Sequence, residues 1–259
     1  MSTIGDPTGK LDIGRVIQQL FAALSRNFAT FAILAVILVG VPTAIVYGFQ
    51  PNVTATSAAA FNFGPRLAYS IVSGIVAGLS GLILQGTIIY GTVSDLNGKP
   101  VSVADSLRIG LYTFLPLLGI GILMGLAIGI GMILLIVPGI ILAIVWCVAI
   151  PAYVVERPSL MDVFGRSAAL TRNNRWRIFG LMIVFFIAVL IIELVLGIVG
   201  GVTNLISFGG LPVVTRFVIL PLINVASALI GATGGAVLYV ELRRLRDGVG
   251  PQGLAAIFD

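Results

Sequence analysis

The chain has no histidine and a single cysteine, Cys147, among its 259 residues. Without histidine it lacks the commonest general base, the commonest metal ligand and the usual switch near neutral pH. Ser–His and Cys–His nucleophilic pairs are excluded for the same reason. One thiol cannot form an intrachain disulfide, so cysteine usage leaves the redox compartment open. Charge is scarce too. Asp, Glu, Lys and Arg make up 10% of the residues, against roughly 25% in a soluble domain. The motifs HExxH, GxxxxGK[ST] and CxxC are missing, which removes the zincin, P-loop and dithiol signatures. The acids Asp95, Asp105, Glu156 and Asp162 are scattered rather than convergent, as metal-assisted hydrolysis would need. A non-enzymatic chain with no metal and no cofactor is expected. No apolar run with a small-residue cleavage site occurs in the first 27 residues, so no cleavable leader is expected either.

What the chain has is hydrophobicity, with 58% hydrophobic residues and a mean hydropathy of +1.13. So few charges cannot coat a water-facing surface of this size, and the solvent for most of the chain must be hydrocarbon. The apolar runs are continuous rather than alternating, which indicates helices and not a barrel. Spans are expected at about 28–49, 68–92, 111–136, 139–155, 178–200 and 217–240. The third and fourth come from one stretch without charge between Arg108 and Glu156. As a single helix it would be about 70 Å long, more than twice the roughly 30 Å hydrocarbon core. It must fold back, and Val137-Pro138-Gly139 is the expected corner. Segment 201–212 could be a plain loop or re-entrant. Residues 1–9 and 248–259 read as tails around one membrane domain at 10–247.

Lysine and arginine are distributed unevenly about these spans. One face takes Lys10, Arg15, Arg26, Lys99, Arg108, Arg157, Arg166, Arg172, Arg175, Arg177, Arg243, Arg244 and Arg246; the other takes Arg66 and Arg216, a split of thirteen to two. Positive charge is retained in the cytoplasm, so both termini are expected there. The net charge of +5 therefore reads as a topology signal, and no nucleic-acid partner is expected.

Three leads precede the hairpins. Residues 10–27 set Ile13, Val16, Ile17, Leu20, Phe21 and Leu24 on one helical face, an amphipathic helix suited to the membrane surface. Ser102 and Ser159, each with an acid three residues on, open two more by a variant of the capping box. Ala22-Ala23-Leu24-Ser25-Arg26-Asn27 also parallels Ala168-Ala169-Leu170-Thr171-Arg172-Asn173. The expected architecture is all-α: six transmembrane helices as three hairpins, each behind a cytoplasmic amphipathic helix. The plainer account is that any span entering from the cytoplasm carries a basic amphipathic lead.

Small residues recur every four positions at Gly74 and Gly78, at Gly121, Gly125 and Gly129, and at Ser227, Gly231 and Gly235. Such faces let helices approach closely, within one subunit in the plain reading and between copies in the sharper one. Glu193 is the only acid inside an expected span, where a charge at the bilayer centre costs about 3 kcal/mol on insertion scales. It could reach interfacial water, pair with Arg216, or share a polar cavity with Gln85 and Asn224 as a transport or lipid-translocation site. Arg166, Arg172, Arg175 and Arg177, with Trp176 among them, form the densest basic cluster. It could contact anionic lipid headgroups or serve only as a topology determinant.

The run Val137-Pro138-Gly139-Ile140-Ile141-Leu142 with Trp146, Pro151, Val155 and Glu156 resembles the central hairpin of a bacterial family. So do Gly165-Arg166-Ser167-Ala168-Ala169-Leu170-Thr171, Arg175-Trp176-Arg177-Ile178-Phe179-Gly180 and the ending Tyr239-Val240-Glu241-Leu242-Arg243-Arg244. The family is the glycerophosphoryl diester phosphodiesterase membrane domain, related to YciC-like inner-membrane proteins. The resemblance implies a six-helix fold in the bacterial inner membrane. It argues against hydrolase activity here, because in fused relatives the hydrolase is a separate soluble barrel. It supplies no active residues. An envelope-organising domain binding lipid, a protein partner or a second copy is the expectation.

Overall fold

In a computed structural model, residues 10–49, 63–206 and 215–248 are described. The tails at 1–9 and 249–259 lie outside the described residues. The described chain is helical throughout, with no strand among the described residues. Six helices are long and apolar enough to cross a membrane: Phe28–Gly48, Gly64–Leu96, Val103–Leu134, Ile136–Glu156, Arg175–Val195 and Phe217–Asp247. The chain is an all-α, multi-span membrane protein.

Helix α1 (Ile13–Arg26) is capped by Asp12, whose carboxylate accepts from the Arg15 N–H. Its apolar face does not lie open on a lipid surface. Val16, Leu20 and Ala23 are buried, Val16 and Leu20 in one core with Ile178 and Leu181, Val237 and Tyr239, and only Phe21 of the expected stripe stays exposed. The helix is a structural layer of the bundle. Asn27 closes α1 and opens the first span, which runs as α2 (Phe28–Ala35), a π-helical turn Val36–Gly40 and α3 (Val41–Gly48).

A second π-helical turn, Thr215–Ile219, opens the last span before α10 (Leu220–Asp247). Each is followed within two residues by proline, Pro42 and Pro221. Proline has no N–H to give to the preceding turn and its ring crowds the carbonyl four residues back. The wider π turn accommodates both faults without ending the helix.

Helices α4 (Phe63–Leu96) and α5 (Val103–Leu134) form the second packing pair. Ser102 caps α5, accepting from the Asp105 N–H at 3.3 Å. The expected separate amphipathic lead is not separate here: it is the first turns of α5, continuous with the span. Nothing between Ser102 and Leu134 stops a helix except Pro116, which the helix absorbs. The third lead, α8 (Asp162–Thr171), does stand apart, followed by the turn at Asn173 and Asn174.

The corner between the third and fourth spans falls earlier than expected. Leu135 alone leaves the helical region, with φ −156° and ψ 131°, and α6 (Ile136–Trp146) starts at once. Pro138 fixes this position, because a continuous helix would drive its ring into the Leu134 carbonyl. In the first turn of α6 a missing N–H costs nothing. The fourth span then breaks at Cys147 and Val148 before α7 (Ala149–Glu156). Helix α9 (Arg175–Ile206) continues through the first part of 201–212; residues 207–212 lie outside the described residues.

Helix approach does not follow the expected glycine stripes. A Cβ at Gly74, Gly78, Gly125, Gly129 or Gly231 would meet nothing within 4 Å. Close approaches instead include Gly86 and Gly110, across which α4 and α5 pack their Thr87 and Thr113 hydroxyls, and Gly139, whose Cβ would sit 2.8 Å from the Met132 nitrogen.

Candidate functional site

The basic segments gather at one end of the bundle, held by polar contacts between distant parts of the chain. The Leu11 N–H donates to Asn174 Oδ1 at 2.8 Å, and Arg177 Nη1 donates to the Leu11 carbonyl at 2.5 Å. Arg26 pairs with Asp95 at 2.5 Å. Gln19 Nε2 donates to the buried Glu241 carboxylate at 2.9 Å. Residues near both ends of the described chain and both intervening connections on that side therefore share one face.

The densest contact is a clasp of two arginines, two carboxylates and a phenol. Arg166 on α8 grips Glu156 at the end of α7 with two hydrogen bonds of 2.8 Å each. It also binds Asp247 at the end of α10, through Nη1 at 3.3 Å and through Nη2. Tyr239 donates to Glu156 at 2.7 Å, and Arg243 donates to the Tyr239 oxygen at 3.2 Å. Arg243 Nε stands 3.6 Å from both Glu156 and Asp247. Hydrogen bonds to Glu156 and then Asp247 raise the Arg166 guanidinium above its ordinary value, so it remains charged at any working pH. The two charges of each sign cancel. The cluster ties α7, α8 and α10 together. Sequence reasoning missed it, although Tyr239, Arg243 and Asp247 recur every four residues and so share a helix face.

The four cluster arginines thus divide. Arg166 is spent on the clasp and Arg177 on the Leu11 carbonyl. Arg172 and Arg175 are exposed and make no hydrogen bond or ion pair among the described residues. Between Arg175 and α6 lies a cavity of about 540 Å³ lined by Val137, Ile140, Ile141, Ile144, Arg175, Trp176 and Phe179. Trp176 itself is 85% exposed.

The three intramembrane polar residues are not brought together. Gln85 lines an apolar cavity of about 730 Å³ between α4, α5 and α10, with Gly74, Gly78 and Gly121 in its wall but neither Glu193 nor Asn224. Asn224 donates to the Tyr47 oxygen at 3.2 Å and to the Leu220 carbonyl at 2.9 Å. Glu193 is exposed on α9 among exposed Leu190, Ile191, Leu194 and Val195, and has no partner among the described residues; the side chain of Arg216 lies outside them. Among the described residues no three His, Cys, Asp or Glu side chains cluster as a metal site would require.

No protein-family model matches the chain, and neither a curated protein nor a solved structure matches it.

Proposed function

We propose that this multi-span membrane protein is a non-enzymatic domain of the bacterial inner membrane that binds anionic phospholipid at its basic, cytoplasmic face and so organises the adjacent envelope. The observation that carries this reading is the division of the arginine cluster. Arg172 and Arg175 stay exposed without carboxylate partners, beside an exposed Trp176, while Arg166 nearby is neutralised twice over. A free guanidinium near the membrane surface is worth about 1 kcal/mol toward anionic lipid, and tryptophan favours the headgroup level. The thirteen-to-two distribution of basic residues supports the cytoplasmic assignment. The resemblance to the glycerophosphoryl diester phosphodiesterase membrane domain belongs to the same proposal, as a membrane fold without the hydrolase.

The test is binding of a fluorescent phosphatidylglycerol to purified protein in neutral detergent. Arg172→Ala/Arg175→Ala is expected to weaken binding by about thirtyfold, with Arg15→Ala as a control elsewhere on the same face. Binding undiminished in the double variant removes the proposal.

A further inference from the structure

We infer that the groove between α6 and the start of α9 is a site for one anionic glycerophospholipid of the surrounding bilayer, with an acyl chain along α6 and the phosphate on Arg175; this rests on the reading above and gives it a stereochemistry. Val137, Ile140, Ile141 and Ile144 follow the spacing of one helix face. From first to last they span about 10 Å at 1.5 Å per residue. Phe179 and Trp176 on α9 complete an apolar wall, and Arg175 is its one charged residue. Val137 and Ile141 are 65% and 49% exposed, so the groove opens sideways, where a lipid can enter.

Three features select the occupant. Water has almost no polar partners along such a wall and would not settle there. The guanidinium fork matches phosphate oxygens in paired hydrogen bonds, and Arg175 has no internal acceptor competing for it among the described residues. Exposed Arg172, three residues earlier, adds a second positive charge that favours a lipid of net negative charge over a zwitterionic one. A protein segment would have to bring its own carboxylate to Arg175. The bilayer supplies phosphate at this level everywhere.

Native mass spectrometry of the detergent-purified protein, incubated with equal phosphatidylglycerol and phosphatidylcholine, tests the site. One tightly retained phosphatidylglycerol is expected in the wild type, with occupancy lowered about tenfold by Arg175→Ala. Ile141→Trp and Val137→Trp fill the groove from its open side, where neither residue is part of the packed core. Both are expected to lose the retained lipid while still binding fluorescent phosphatidylglycerol in the arginine-dependent assay above. If both tryptophan variants retain the lipid like the wild type, the groove is not the site, although the headgroup reading survives. Retention of phosphatidylcholine in preference, or of no phospholipid, overturns the inference as well. Fluorescent-lipid binding undiminished in Arg172→Ala/Arg175→Ala instead removes the broader reading.

Discussion

At the scale of single residues, the protein separates structural charges from available ones by what lies beside each. Glu156 receives two hydrogen bonds from Arg166 and one from Tyr239, and Tyr239 is fully buried. Removing the phenol strands that carboxylate contact, so Tyr239→Phe should cost about 1–2 kcal/mol. Arg166→Ala removes the counter-charge of two carboxylates at once. Its side chain and those of its partners are only partly buried, so screening limits the loss to about 1–3 kcal/mol. Thermal unfolding in detergent should show both as a lower Tm, whereas Arg172→Ala should leave Tm unchanged. A Tyr239→Phe protein as stable as the wild type would mean that the clasp holds nothing together. In the sequence alone the four cluster arginines look alike, because sequence shows a charge but not its partner. The acids that sort them lie 10 and 81 residues from Arg166.

At the scale of elements, the breaks were more legible than the contacts. Proline fixes where α5 ends and α6 begins to within a few residues, since its clash is local and needs no tertiary information. The Ser102 cap was readable for the same reason, whereas Ser159 Oγ accepts from the Asp162 N–H at 3.2 Å and donates to its carboxylate at 2.6 Å in the turn before α8, whose N-cap is Met161. Close approach between helices was not readable. A stripe such as Gly121, Gly125 and Gly129 marks where a neighbour could come near, while the fold decides where one does. The two classes separate by substitution. Gly139→Ala forces a Cβ to within 2.8 Å of the Met132 nitrogen and should destabilise the hairpin by about 1–3 kcal/mol. Gly129→Ala meets open space and should be neutral or raise stability by up to about 1 kcal/mol through helix propensity. Equal Tm values for the two variants would contradict this assignment of the α5–α6 contact. The amphipathic leads fall between these cases. Periodicity identified α1, but an apolar face looks the same whether lipid or α10 covers it.

At the scale of the whole molecule, the account requires that the basic segments other than those of Arg66 and Arg216 emerge on one side. The contacts from Leu11 to Asn174, Arg26 to Asp95, Gln19 to Glu241 and Glu156 to Tyr239 make this end a single connected surface, on which the lipid reading depends. Span number and charge asymmetry lead to the expectation of that topology, because the bilayer permits so few alternatives. A transport site was not legible, as three polar residues on three helices carry no information about which way they face. The most direct measurement is labelling with a membrane-impermeant maleimide in sealed vesicles of known orientation, in a Cys147→Ser background. Ser25→Cys and Asn173→Cys should react from the cytoplasmic side, and Gly64→Cys at the far end of α4 from the opposite side. Reaction of Ser25→Cys and Asn173→Cys from opposite sides would contradict the fold, and reaction of both from the outer side would contradict the cytoplasmic placement of the basic face.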